Sequence, residues 1–487
     1  MVKCLFVHRD NGHESLGIEY LSSVLKKAGH ETDLIIISDY EEKKSLQKRL
    51  IERIENFKPD FICFSIMTDD YLWACNLSEF IKGIKNIPVI FGGPHITACP
   101  EEVIKNKSID YVVIGEGEET IVELVENPKK TNIKNTWLKK NGKIIKNKLR
   151  PLIQNLDSLP FPDKELFFKE APYLKGETYY FMTSRGCPFG YTYCFNNYLK
   201  KLYHGDKWLR KRSVKSVIDE LKETRKKFNY HIIFFGDDCF TFDKQWLRDF
   251  FKEYKKEINI PFKMLAHPHF MDKEIVSILK EGGCFKSQIG VQTPIERVRK
   301  EICKRSDTNE LIAKVVAELK KQKIYVHVDH LYGLPGQTTE ELEKGIEFYI
   351  DLKPDVISQY WMQYYPSSEI INIAKNYNMI DDNFEKDIIN KGKIRSSEIP
   401  ELSKKADEKL AAISRFMCWI PFLPRPISRY LLRSGLYLDI FRTDKMNKIP
   451  LVIKHLGSLE LMRAAYKSMK RKRDLENHYL KLNQQYK

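Results

Sequence analysis

The chain has 487 residues, of which 30% are charged and 42% hydrophobic. That length exceeds one ordinary core and that balance excludes disorder, so two or three globular domains are expected. The net charge of +16 comes mostly from lysines spread along the chain, with a denser run at Lys467–Arg473. A solvated lysine-rich surface explains it more simply than nucleic acid, an anionic membrane face or acidic substrates. Ten cysteines in so long a chain exclude a disulfide scaffold and suit a reducing cytoplasm, where thiols stay available for metals. Met1–Val7 runs straight into a strand with no signal-peptide pattern, and no stretch reaches the roughly 18 apolar residues of a spanning helix.

Residues 1 to about 130 alternate short apolar runs with helical patterns. The strands are expected at Lys3–His8, Thr32–Ser38, Phe61–Ile66, Val89–Phe91 and Tyr111–Ile114. Ile18–Ala28 has apolar residues at helical spacing, and Gly29 follows where a C-terminal cap is preferred. This alternation predicts a Rossmann-like, doubly wound parallel sheet. Its ligands sit outside the carboxyl ends of the strands. Those ends carry Ser65 and Thr68, then Gly92-Gly93-Pro94-His95, then Gly115-Glu116-Gly117. Glycines there let a backbone approach a large planar or phosphate-bearing ligand.

Residues 131–174 read as a linker, with a hairpin turn at Asn141-Gly142 and an extended connector at Leu159–Asp163. A second alternating pattern fills 175–375, with strands at Thr178–Thr183, His231–Phe235, Phe262–Ala266, Phe285–Val291, Ile324–Leu331 and Asp355–Met362. Six strands with intervening helices, such as Val214–Phe228 and Leu311–Gln322, predict a partial (β/α)6 barrel with its site at the strand C-termini. From 376 to 487 helical patterns take over.

Directly after the first of these strands comes Cys187-Pro188-Phe189-Gly190-Tyr191-Thr192-Tyr193-Cys194. With Thr183–Gly186 before it and Phe195–Asn197 after it, this loop resembles the CxxxCxxC signature of the radical S-adenosylmethionine (radical SAM) family, with Tyr191 in place of the middle cysteine. Four further strand-end motifs resemble the same family: Phe235–Phe240, Gly290–Thr293, Tyr332–Thr338 and Tyr365–Ser368. Ser15–Leu21, Gly92–Glu102 and Asp110–Thr120 are similar to the cobalamin-binding domain that precedes many such enzymes.

The resemblance implies three cofactors: a 4Fe–4S cluster, S-adenosylmethionine and cobalamin. Cys187 and Cys194 are the implied thiolate ligands, and Tyr193 the aromatic residue set against adenine. Asp237 and Asp238 are implied acceptors for the ammonium or ribose of S-adenosylmethionine, although either acid also suits a helix cap. Gln292 stands where relatives commonly carry glutamate, and Gly333 and Gly336 belong to a turn near the adenine. Ser65, Thr68, Gly92, Gly93, His95, Gly115, Glu116 and Gly117 form the implied cobalamin edge. No DxHxxG stretch occurs, so cobalamin is expected to be held by shape and backbone, with His8, His13 and His95 in hydrogen-bonding rather than cobalt-ligating roles.

Tyr191 leaves three readings open. A phenol of pKa near 10 is a poor ligand at neutral pH unless a metal or cation lowers it, although tyrosinate does bind iron. The chain is a degenerate member, or it holds a cluster with Tyr191 or an exogenous ligand at the third iron, or it carries one substitution of an active sequence. His267 and His269 suit a substrate cavity or proton relay less well than structural polar roles. Cys239, Cys284 and Cys303 suit a core.

Ile413–Arg442 is aromatic and apolar, punctuated by Arg415, Arg425, Arg429, Arg433 and Arg442. A helical subdomain closing the barrel mouth is the preferred reading, ahead of an interfacial membrane-docking segment or a lid over a greasy substrate. The best overall expectation is a cytoplasmic cobalamin-dependent radical SAM enzyme that methylates an unactivated carbon of a small molecule, lipophilic ones included. It would have both cofactors facing one cavity, and a flavodoxin or ferredoxin as electron donor. The alternatives are a radical SAM oxidoreductase or cyclase, or a non-catalytic cobalamin-binding relative. Nucleic-acid binding lacks an aromatic–basic stacking platform.

Overall fold

A computed structural model describes residues 1–392 and 408–441. Arg442 and the Lys467–Arg473 run lie outside the described residues. The chain forms two compact units, one built from residues 1–176, 184–228 and 363–392, the other from 177–183, 229–362 and the helices of 408–441.

The first unit is organised by a seven-stranded sheet of order β2-β1-β3-β4-β5-β6-β7. Its strands are β1 (Lys3–Arg9), β2 (Glu31–Ile37), β3 (Phe61–Ser65), β4 (Val89–Gly92), β5 (Tyr111–Val113), β6 (Thr136–Lys140) and β7 (Lys143–Lys146). The first five are mutually parallel, as expected for strands joined by helical crossovers. Both faces are buried. Leu5, Val7, Phe64 and Phe91 belong to one apolar cluster, and the alternate residues Cys4, Phe6, Cys63 and Ile90 belong to the other. Helix Leu16–Lys27 ends as its sequence predicts, with Gly29 at φ +84°.

The hairpin expected at Asn141-Gly142 forms with both residues at positive φ, 51° and 73°, as a type I′ turn requires. It is part of the sheet: β6 pairs antiparallel with β5 and β7 with β6, so the outer strand is short and lysine-flanked. Such an edge resists pairing with another chain.

In the second unit β8 (Thr178–Phe181) pairs with β11 (Ile232–Phe235), which is followed by β12 (Phe262–Ala266), β13 (Cys284–Gln292), β14 (Tyr325–Tyr332) and β15 (Val356–Trp361). The order is β15-β14-β13-β12-β11-β8, parallel throughout. The two remaining strands, β9 (Ser184–Arg185) and β10 (Arg210–Lys211), form an antiparallel pair in the first unit. The intervening helices start at side-chain caps: Asp243 accepts from Trp246 N, Asp272 from Ile275 N, Thr308 from Leu311 N. Thr338 and Glu341 form a reciprocal capping box. This is the predicted fold class, a parallel sheet followed by a partial barrel and a helical C-terminal region.

The arginine-punctuated segment forms helices Glu408–Trp419, Arg425–Arg433 and Leu436–Phe441. Arg425, Arg429 and Arg433 dock it against helix Thr339–Leu352, whereas Arg415 donates to the Phe441 carbonyl within the segment at 2.7 Å. Arg425 donates to the Asp351 carbonyl at 2.9 Å, Arg429 pairs with the Asp351 carboxylate, and Arg433 pairs with Glu347 at 2.9 Å. Tyr437 donates to Glu343 at 2.5 Å, and Lys353 donates to the Ile420 carbonyl at 2.7 Å. No helix among the described residues is long and apolar enough to cross a membrane.

Candidate functional site

In the first unit, the ends of β3, β4 and β5 form one laced edge. Gly93 has φ +102°, and a Cβ there would stand 2.5 Å from the Ile66 nitrogen. Only glycine permits that approach. Thr97 ties two loops together, donating from Oγ1 to the Gly93 carbonyl at 2.9 Å while accepting from Gly115 N at 3.0 Å. Gly115, at φ +74°, lies against Tyr203, whose hydroxyl a Cβ would overlap. A Cβ on Gly17 would make ordinary van der Waals contact with Ser65 Oγ, at 3.8 Å. Gly92 and Gly117 are half-buried along the same edge. Thr68 is buried, and its carbonyl lies against Gly392.

His95 is fully buried and its ring lies on Tyr71, with centroids 4.4 Å apart. Neither ring nitrogen makes a hydrogen bond, although the Ile389 carbonyl lies nearby. Burial pushes its pKa down to about 4, so it is a neutral imidazole at physiological pH.

Glu116 has a different engagement from the one its motif suggested. Its carboxylate accepts from Arg185 Nη1 at 2.9 Å, from Arg210 Nη1 at 2.8 Å and from Ile153 N at 2.8 Å. Glu118 accepts from the other Arg185 nitrogen at 2.5 Å. Burial opposes the Glu116 charge, but the two arginines prevail and hold its pKa below the usual carboxylate value. Arg185 on β9 and Arg210 on β10 thereby fasten the cysteine loop's base to the loop after β5. A composition-level reading had no signal for this clasp.

The cysteine loop itself is tightly fixed. Gly186 has φ +90°, and a Cβ there would meet the Trp208 carbonyl at 2.5 Å. Trp208 Nε1 donates to the Cys187 carbonyl at 2.9 Å, and Ile370 N donates to the Thr192 carbonyl at 3.0 Å. Cys187 is buried; Cys194 is half-buried at the start of helix Phe195–Leu202, where helix amides favour a thiolate. Tyr191 is only 9% exposed and stacks between Phe189 (5.2 Å, 8°) and Tyr193 (5.9 Å, 15°). Tyr365-Pro366-Ser367-Ser368 turns with Ser367 at φ +62°, a conformation glycine would adopt more easily, and Ser367 Oγ donates to the Ala98 carbonyl at 3.1 Å.

In the second unit the strand-end motifs are equally structured. Asp237 is fully buried and accepts three hydrogen bonds from Thr183, from the backbone at 3.0 and 3.1 Å and from Oγ1 at 2.7 Å. It therefore closes the end of β8 and does not cap the next helix; Asp243 does that. Asp238 beside it is exposed. Gln292 has φ +67° at an irregularity in the β13–β14 pairing. A non-glycine residue held left-handed at a strand end is strain of the kind that collects at ligand sites. Gly333 and Gly336 have φ +74° and +69°, and the Gly336 carbonyl accepts from Arg297 at 2.7 Å.

His267 and His269 stack at 5.4 Å, and His269 Nε2 meets Ser306 Oγ at 2.9 Å. Burial, then the Arg305 guanidinium, pushes His267 down to about 3. Cys239, Cys284 and Cys303 are all buried in this unit. Sequence reasoning overlooked one further cluster, Lys263, Lys286, Gln288, His327, Asp329 and Ser358. The period-two alternation of polar residues within β13 and β14 was its available signal.

A laced parallel-sheet edge in one unit and a parallel barrel sheet with structured C-terminal turns in the other define an α/β protein with ligand-type strand ends in both units. The comparisons with known proteins agree. Residues 2–125 match the B12 binding domain and residues 181–349 the radical SAM superfamily. The chain is 30% identical over 373 residues to an uncharacterized methyltransferase of Pyrococcus horikoshii, covering 75% of this chain and 79% of that one. It is 24% identical over 391 residues to the anaerobic magnesium-protoporphyrin IX monomethyl ester cyclase of Cereibacter sphaeroides, covering 75% and 62%. In fold it is similar to the radical S-adenosylmethionine methyltransferase TsrM of Kitasatospora setae, solved with cobalamin and a [4Fe-4S] cluster (TM-score 0.67, 15% identity, 96% and 100% covered). The chain belongs to the family of cobalamin-binding radical SAM enzymes.

The residues present suit these cofactors to different degrees. The glycine-rich edge, where Gly93 brings backbone against backbone at Ile66, suits cobalamin held by shape and backbone. Two cysteines on a pinned loop suit two corners of a cluster, and the third position carries the Tyr191 phenol.

Proposed function

We propose that this chain is a cobalamin-dependent radical SAM methyltransferase acting on an unactivated carbon of a small molecule. The observation that carries the reading is the Arg185 clasp, which ties the base of the cysteine loop to the β5-end loop of the cobalamin domain within one unit. Similarity to the Pyrococcus methyltransferase over most of both chains supports the same reaction, whereas similarity to the cyclase supports ring closure as the runner-up.

Bound together, the cluster and S-adenosylmethionine supply one-electron hydrogen abstraction, and cobalamin supplies a methyl group. Cys187 and Cys194 would hold the cluster as thiolates, with Tyr191 at the sequence position of the third ligand. Tyr193 offers a ring face to adenine. Asp237 fixes the end of β8, and the exposed Asp238 next to it accepts from the ammonium or ribose hydroxyls. Gln292, Gly333 and Gly336 line the barrel end. Ser65, Thr68, Gly92, Gly93, His95, Gly115 and Gly117 form the cobalamin edge, and Glu116 acts on it indirectly by holding Arg185. We further assign the chain a cytoplasmic location, with a flavodoxin or ferredoxin as electron source and peripheral membrane contact as an accessory property. The domain division proposed is 1–130, 131–174, 175–375 and 376–487.

The packing of Tyr191 between two rings favours a second reading, in which the tyrosine is a structural filler and the chain binds cobalamin without a cluster. Anaerobic reconstitution decides between them. About four irons and four sulfides per chain support the enzyme, whereas cobalamin retained without iron in wild type, and iron regained in Tyr191→Cys, supports the cluster-free relative.

A further inference from the structure

The side chains of β12 to β15 alternate between two faces. Met264, Ser287, Ile289, Val326, Val328 and His330 are buried on one. The other carries Lys263, Lys286, Gln288, His327, Asp329 and Ser358, an arrangement of charge unlike an ordinary barrel lining. The strand register sets Lys263 beside Lys286, Gln288 beside His327, and Asp329 beside Ser358.

Polar contacts join part of this group. Gln288 donates to both Asp329 oxygens at 3.0 and 2.9 Å, and His327 Nε2 meets Ser358 Oγ at 2.6 Å. The buried His327 Nδ1 makes no hydrogen bond. The two lysines are placed differently. Lys263 Nζ lies 5.1 Å from the Phe234 ring centre and Lys286 Nζ 5.9 Å from that of Tyr325. Both are half-buried, and neither has a hydrogen bond or ion pair with any described residue.

Burial lowers the pKa of both lysines, and at Lys286 the neighbouring Lys263 lowers it further. The nearby carboxylate, Asp329, is itself pushed up by burial, accepts from Gln288, and offsets the Lys286 charge only in part, since the Lys286 pKa stays lowered. His327 is held down to about 4 and contributes no positive charge at neutral pH. Two adjacent ammonium groups in a partly desolvated site, with one carboxylate acting on Lys286 alone and no ion pair to either lysine, leave an excess positive charge that an anion would relieve.

We propose that this face is an anion-anchoring subsite for the substrate, in which Lys263 and Lys286 bind a carboxylate or phosphate group. This rests on the methyltransferase reading above and names its substrate class. His327 Nδ1 and Asp329 take a hydroxyl or amide next to the anion, which adds direction to charge. Lys286 lies six residues before Gln292 on β13, about 20 Å along an extended strand. The substrate is therefore an elongated molecule with its anionic end well below the strand termini.

The test uses the full chain and two probes, inorganic pyrophosphate and succinate. Lysines are acetylated with acetic anhydride with and without each probe, and site occupancy is read by peptide mass spectrometry. Protection of Lys263 and Lys286 by fivefold or more, with exposed Lys255 unchanged, is expected. Protection by pyrophosphate assigns a phosphate substrate, and protection by succinate a carboxylate. No protection by either probe up to tens of millimolar overturns the subsite. Calorimetry on Lys263→Gln and Lys286→Gln should show at least a tenfold weaker Kd, with Lys286→Arg close to wild type; equal affinity in all three overturns it as well. Cobalamin absorbance on the same samples separates the two proposals. Normal cobalamin uptake without protection removes the subsite alone, whereas failure to take up cobalamin removes the methyltransferase reading.

Discussion

Arg185, two residues before Cys187, donates to Glu116 at 2.9 Å and so joins the cysteine loop to the cobalamin-type sheet. Arg210 completes the arrangement from the paired strand at 2.8 Å. The glutamate in the Gly115-Glu116-Gly117 motif thus acts through arginines, while Gly115 makes room for the Tyr203 ring.

Glu116→Gln leaves the buried Arg210 without its charge partner and Arg185 with Glu118 alone. A loss of about 2–3 kcal/mol of stability is expected, read by urea unfolding of the full chain. Alkylation of Cys187 should also quicken, because the loop's base is released. Unchanged unfolding and unchanged alkylation would show that the clasp is ornamental.

Tyr191→Phe keeps the stack with Phe189 and Tyr193 and removes only the oxygen. If the phenol ligates iron, iron retained after anaerobic reconstitution falls and Tyr191→Cys restores it. If the ring is a filler, iron content is the same in Tyr191→Phe and wild type. Tyr191→Cys also loses both ring contacts, which costs about 1–2 kcal/mol.

Asp237 holds β8 through three hydrogen bonds to Thr183. Thr183→Val removes one of these and should cost about 1–2 kcal/mol, and Asp237→Ala, which strands all the donors, about 3 kcal/mol or more. Affinity for S-adenosylmethionine, measured by calorimetry, should weaken in parallel, since the strand end that carries Asp238 is loosened.

Acid should destabilise the chain through buried neutral histidines. Burial lowers His95 and His327 to about 4, and His267 and His330 to about 3. Below pH 6.5 the unfolded chain binds protons that the folded chain does not, so stability falls as pH drops from 6.5 towards 4. Each such histidine contributes up to about 1.4 kcal/mol per pH unit in that window. His330, whose Nδ1 meets the Tyr349 hydroxyl at 2.9 Å, is a suitable probe. His330→Asn should flatten the slope measured by urea unfolding at pH 7, 6 and 5, and an unaltered slope would refute its share.

Taken alone, the sequence determined the fold class, the order of the strands along the chain and the family. Periodicity and turn chemistry are local, and they marked Gly29, Asn141-Gly142 and the strand-end motifs with no knowledge of distant partners. Tertiary structure decided what those motifs do. Glu116 proved to be an arginine partner, Asp237 a fastening for Thr183, and the arginines of 425–433 docking groups for a barrel helix. It also decided that the 184–228 segment packs in one unit with the N-terminal sheet. The lysine pair on β12 and β13 emerged only once register set the strands side by side. The physical reason is the same throughout. Charge pairing and desolvation depend on atoms that meet across tens or hundreds of residues, and linear spacing carries no record of those meetings.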